Sequence, residues 1–94
     1  MYYTYVLLSE KDSMFYTGTT KDLKKRLKQH NEGMVHSTSH RAPFKLIYYE
    51  ACPCKEDAFQ REKYLKNGKG KRYLRNRLKK SLEAVNPDKL ERYK

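Results

Sequence analysis

Apolar and polar positions along the chain alternate between short extended runs and helical stripes. Tyr2 to Leu8 is dense in Tyr, Val, Thr and Leu, residues that suit a pleated, partly buried surface, and reads as a strand. Glu10-Lys11-Asp12-Ser13 then supplies a polar turn, and Met14 to Gly18 returns as a second strand, giving an antiparallel hairpin. Thr19 and Asp22 form a Thr-x-x-Asp pattern resembling a capping box, so a helix is expected from about Thr20 to Glu32, with Gly33 just past its end. Residues 33 to 43, small, polar and basic with Pro43 at the end, predict a long surface loop. Phe44 to Cys52 joins aromatic and β-branched residues in one run and is the third strand.

Lys55 to Lys66 is the next helix, with Glu56 and Asp57 in its first turn, where they complement the helix dipole, and Asn67-Gly68 as its stop. Lys69 to Leu82 predicts a further helix, with Leu74, Leu78 and Leu82 on one stripe. Asn86-Pro87 interrupts the chain, and the stretch from there to Lys94 is expected as one more helical turn or a loose end. The order ββαβαα implies an α+β fold, a small three-stranded antiparallel sheet flanked by helices, in one domain over residues 1–82 with a C-terminal tail over 83–94.

Charge narrows the choice of partner. The 94 residues hold 22 Lys and Arg against 11 Asp and Glu, a net charge of +11, which makes a polyanion the natural partner and nucleic acid the first candidate. No run approaches the roughly 20 apolar residues of a spanning helix, and the basic helices lack a Trp- or Phe-rich insertion face, so no membrane partner is expected. The opening MYYTYVLLSEKD has neither a basic lead nor a small-residue cleavage site, so it reads as a strand and the protein is expected in the cytoplasm. Cys52 and Cys54 are separated by one residue, awkward for a mutual disulfide, and are expected as thiols. A zinc site from these two with His36 and His40 is a remote alternative, because Cys-x-Cys is unlike the usual Cys-x₂₋₄-Cys.

Turning the first helix by about 100° per residue places its chemistry. Leu23, Leu27, His30 and Arg26 fall on one side, and Lys21, Lys24, Lys25 and Lys28 fan out on another. A lysine fan is what a solvated helix normally shows. Arg26 and His30, at i and i+4 beside the leucines, belong at the rim of the core, either as structural side chains or as functional ones. In the second helix Glu62 shares a face with Ala58 and Leu65. A carboxylate so placed needs a cationic partner, with Arg26 the candidate, or a metal, or an open cleft.

Together these residues resemble the GIY-YIG nuclease family. Tyr16-Thr17-Gly18 stands for the second motif, Arg26 and His30 come at the family's offsets, and Pro43 and then Glu62, within EACPCKEDAFQREKYLK, complete the series. The likeness spans residues 2 to about 80 and is similar to the compact members that resemble the N-terminal nuclease domain of a DNA-repair excinuclease. Tyr3-Thr4-Tyr5 occupies the place of the first motif, keeping its tyrosine and losing its glycine. The family's late asparagine maps to Asn76, or alternatively to Asn67.

The resemblance implies a metal-dependent endonuclease acting on nucleic acid, expected to be DNA, and leaves room for a protein partner that targets it. Under it, Tyr5 takes part in deprotonating the attacking water and Tyr16 orients the water or the phosphate. Arg26 binds the scissile phosphate, His30 assists, Asn76 joins the catalytic set, and Glu62 holds Mg²⁺ or a similar cation such as Mn²⁺. Such a base requires the nearby metal and cations to depress the tyrosine's pKa from about 10. Lys24, Lys25, Lys28, Arg41, Lys69, Lys71, Arg72 and Arg75 form the expected nucleic-acid-binding surface, since residues 69 to 80 contain no acid. The alternative is a protein on the same fold that binds nucleic acid without cutting it.

Overall fold

A computed structural model describes residues 1–85. Strands β1 (Tyr2–Ser9), β2 (Phe15–Thr20) and β3 (Phe44–Cys52) form one antiparallel sheet in the order β2-β1-β3. Helices α1 (Leu23–Asn31), α2 (Lys55–Lys66), α3 (Gly68–Arg77) and α4 (Lys79–Val85) complete the expected α+β architecture.

The central strand decides how the layers stack. Thr4 through Ser9 are all buried, a continuous run that a strand shows only when both of its faces are covered. Val6 and Leu8 point to one side, where Leu65, Leu74, Leu78 and Leu82 of α2 to α4 close the core. Tyr5 and Leu7 point to the other, against Leu23 and Leu27 of α1 together with Phe44. The sheet is therefore a partition with α1 on one face and the remaining helices on the other.

Several element boundaries differ from the sequence expectation. β2 continues through Thr20, because the two β-branched threonines prolong the strand; α1 starts only at Leu23. The cap of α1 is Asp22, whose carboxylate accepts from Lys25 N at 3.0 Å, so Thr19 forms no capping box. The expected loop at 33–43 contains a 3-10 helix, His36–Arg41, anchored by buried Thr38. The third expected helix is two helices that turn at Leu78, yet Leu74, Leu78 and Leu82 all reach the core. α4 runs to Val85, so the start of the expected tail lies inside a helix, while the turn or loose end expected after Asn86 lies outside the described residues. Gly33, at φ 73°, leaves α1 as expected.

Arg41 is a structural rivet. Its Nε and Nη2 donate to the Asp12 carboxylate, at 2.6 and 3.3 Å, and Nη2 also donates to the Met14 and Phe15 carbonyls. The guanidinium lies 5.7 Å from the Phe44 ring centroid. This hydrogen-bonded pairing holds the Asp12 carboxyl at about 2, well below the usual carboxylate range. Arg41 thus ties the hairpin turn to the 3-10 helix.

Candidate active site

The α1 face of the sheet gathers most of the expected chemistry around the Tyr5 hydroxyl. Tyr5 is the central strand's residue opposite Gly18 of β2, and a Cβ at residue 18 would lie 2.5 Å from Tyr5 Oη and 2.7 Å from Cζ. Only glycine lets the phenol lie across the strand, which gives the glycine of Tyr16-Thr17-Gly18 a steric reason.

Arg26 Nε donates to Tyr5 Oη at 3.3 Å, and His30 Nε2 lies 3.0 Å from it. His30 Nδ1 meets Thr38 Oγ1 at 2.7 Å, and the Thr38 hydroxyl donates to the Val35 carbonyl at 3.4 Å. Donor and acceptor capacities assign the protons. Thr38, having given its proton to Val35, accepts from Nδ1–H; Nε2 is then the acceptor and Tyr5 O–H its donor. Tyr16 closes the cluster, its ring centroid 4.9 Å from His30 and 6.4 Å from Tyr5.

Electrostatics fix the resting protonation. His30 is fully buried, and desolvation first, then the nearby Arg26 charge, pull its pKa to about 4, so the imidazole is neutral at neutral pH. Tyr5 is raised above 10: burial outweighs the Arg26 hydrogen bond, with Tyr16 and Glu62 adding to the rise. The protein's own groups thus raise Tyr5 and do not depress it, so the resting phenol keeps its proton.

Beside this chain of bonds lies an open hollow of about 340 Å³, lined by Thr19, Thr20, Lys21, Asp22, Lys25, Arg26 and Gln29. Arg26 Nη1 donates to Gln29 Oε1 at 3.3 Å, which holds the guanidinium at the hollow. Lys25 shares the hollow with Arg26, so the separation of the lysine fan from the arginine is incomplete. Lys24 and Lys28 remain on the exposed side of α1, with Lys28 3.9 Å from Glu32.

Glu62 approaches from α2, on the opposite face of the sheet. Its Oε1 accepts from the Thr19 hydroxyl at 2.6 Å and its Oε2 pairs with Lys66 at 2.7 Å. The ion pair considered with Arg26 is not formed. Thr19, on the edge strand, both binds Glu62 and lines the hollow, and Glu62 is near enough to raise the Tyr5 pKa.

The late asparagines are not brought to this cluster. Asn76 is exposed on α3, about half a helical turn from buried Leu74 and Leu78, and α3 covers the other face of the sheet. Asn67 caps α3, its side chain accepting from Gly70 N at 2.9 Å. Lys69, Lys71, Arg72 and Arg75 likewise ride on α3, away from the α1 face. Cys52 and Cys54 are free thiols, and among the described residues no group of three or more His, Cys, Asp or Glu stands ready for a metal, so the zinc alternative has no support. Three residues that sequence reasoning misses complete the site: Thr38 orients His30, Gln29 orients Arg26 and Thr19 orients Glu62. Nothing in the sequence separates them from ordinary surface polar residues.

A three-stranded α+β domain with two motif tyrosines, an arginine and a histidine on one sheet face defines a nuclease-fold class, and comparison agrees. The family model for the GIY-YIG catalytic domain matches residues 1–82, and the chain belongs to this family. The chain is 39% identical over 90 residues to the UPF0213 protein CPE1444 of Clostridium perfringens, covering 95% of this chain and 96% of that one. It is 46% identical over 68 residues to the UPF0213 protein SpyM50708 of Streptococcus pyogenes, covering 71% and 73%. The solution NMR structure of the UPF0213 protein BH0048 from Bacillus halodurans is 35% identical, covering 92% of this chain and 86% of that chain with a TM-score of 0.42.

Proposed function

We propose that the chain is a divalent-metal-dependent endonuclease hydrolysing phosphodiester bonds in nucleic acid, with DNA the expected substrate. The observation that carries this reading is the Tyr5 hydroxyl, buried between the Arg26 guanidinium and a neutral imidazole beside a cationic hollow. Such an arrangement moves a proton without requiring a free phenolate. As water attacks, Tyr5 Oη takes its proton while Tyr5's own proton passes to His30 Nε2, and Thr38 holds Nδ1–H throughout. The imidazolium that results is disfavoured in the resting protein, and negative charge on a phosphate in the hollow offsets this cost. Arg26, positioned by Gln29, offers its guanidinium to that phosphate, and Tyr16 walls the cluster against bulk water.

Glu62 is the residue that would hold the metal. Its side chain is 21% exposed, and its two oxygens face a hydroxyl and an ammonium, partners for which waters and a cation can substitute. One carboxylate completed by waters and substrate phosphate suits Mg²⁺ or Mn²⁺. When bound, such an ion offsets the charge developing on the phosphoryl and leaving oxygens.

Single-turnover cleavage and equilibrium binding of the same oligonucleotide test the reading. Arg26→Ala should reduce cleavage by about 100-fold or more while changing affinity by less than about fivefold. Lys24→Ala and Lys28→Ala should weaken binding and lower its salt slope, leaving saturated cleavage near parental. A parent protein that binds tightly and never cuts with Mg²⁺ or Mn²⁺ would establish the non-catalytic alternative.

A further inference from the structure

The sheet face that carries Tyr5 continues beyond the reach of α1. Tyr49 of β3 stands directly opposite Tyr5, and Tyr3 stands opposite Thr20, which lines the hollow. The Tyr3 and Tyr49 rings meet edge to face, their centroids 6.0 Å apart at 66°. The leucines of α1 cover Tyr5, Leu7 and Phe44 and stop there; Tyr49 is 54% exposed. The cation–π contacts elsewhere on the surface engage other rings, with Lys55 over Phe59 and Arg61 over Tyr64.

We propose that Tyr49, braced by Tyr3, stacks an unpaired nucleobase adjoining the phosphate that occupies the hollow. The proposal rests on the nucleic-acid reading of the hollow but not on cleavage. A polynucleotide presents phosphate and base side by side, and this surface presents their complements side by side: Lys25 and Arg26 for the phosphate, then the exposed Tyr49 ring for the base. Stacking tolerates any base, because every base has a π-face. Tyr3 limits the motion of the Tyr49 ring, so that less freedom is lost when a base settles on it. The base must be out of its own duplex stack, either because the strand is single or because the base has been drawn from a pair.

The two sources are separated by measuring affinity without divalent metal for three probes: a single strand, a duplex carrying one mismatch, and a single strand with an abasic central tract. A 2-aminopurine placed centrally reports stacking by its fluorescence. Tyr49→Ala should weaken single-strand binding by about tenfold and relieve 2-aminopurine quenching, and Tyr49→Phe should restore both. Tyr64→Ala, an exposed ring on α2, should change affinity by less than about twofold. An equal loss on the mismatched duplex identifies a base drawn from a pair, and loss on the single strand alone identifies single-stranded substrate; either outcome supports the platform. Equal losses on the abasic strand, or no loss from a Tyr49→Ala protein that melts like the parent, would overturn the platform and leave the phosphate-binding hollow standing. A parent that binds none of the probes would remove both.

Discussion

Glu62→Gln should lose divalent-dependent cleavage by a factor on the order of 10³ and remain folded. The amide keeps an oxygen to accept from Thr19, so the link between α2 and β2 survives. What disappears is the pair with Lys66, an i,i+4 contact with the lysine side chain 51% exposed, and such pairs are worth about 0.3–0.5 kcal/mol. Had Glu62 neutralised Arg26, the same change would have stranded a partly buried cation at a cost of a few kcal/mol, and any loss of cleavage would have tracked unfolding. Arg26 instead directs Nε to Tyr5 and Nη1 to Gln29. Nucleic-acid affinity should stay equal or rise, since one phosphate-repelling charge is gone. Thermal melts and single-turnover rates on one preparation decide the matter: a fully folded Glu62→Gln protein that cuts at the parental rate with Mg²⁺ would end the proposed role of the carboxylate.

The parts of the site that were legible from the sequence are those fixed by periodicity. Helical spacing set Arg26 and His30 beside Leu23 and Leu27, and the structure places all four together against the α1 face of the sheet. Strand patterning found β1 and β3, and the buried run from Thr4 to Ser9 shows why for β1: a central strand covered on both faces has no solvent-facing charged position to blur the signal. Boundaries failed where tertiary bonds overrode local preference, as at Thr19, whose hydroxyl serves Glu62, 43 residues away, in place of the helix start. Arg41 shows a related limit. Its charge was readable, whereas its commitment to Asp12 depends on a turn and a 3-10 helix meeting across 29 residues. Thr38 was invisible because a buried hydroxyl and a surface hydroxyl look alike in a polar stretch.

His30 should make the protein acid-labile in a window that can be assigned to one residue. Unfolded, its imidazole titrates near 6.5; folded, burial and the Arg26 charge hold it at about 4. Between these values the unfolded chain binds a proton that the folded chain refuses. The contribution is therefore fully present above pH 6.5 and is lost as pH falls toward 4, by about 3 kcal/mol in all. Against the roughly 5–15 kcal/mol typical of a domain, this is a large fraction. Protonation also breaks the local geometry: Nε2 becomes a donor facing a Tyr5 oxygen that already accepts from Arg26, and the Tyr5 proton loses its acceptor. Asp12 does not confuse the window, because its depressed pKa costs stability only as pH falls from the carboxylate range toward 2. Denaturant unfolding at pH 7, 6, 5 and 4 measures the effect. Parent stability should drop across the series, whereas His30→Gln, less stable at pH 7, should show a much shallower decline. Parallel declines would place the acid sensitivity elsewhere in the chain and return His30 to the status of a packed, uncharged core residue. Cleavage provides a second readout, since a protonated His30 cannot take the Tyr5 proton, and saturated rates should fall on the acid side before the fold is lost.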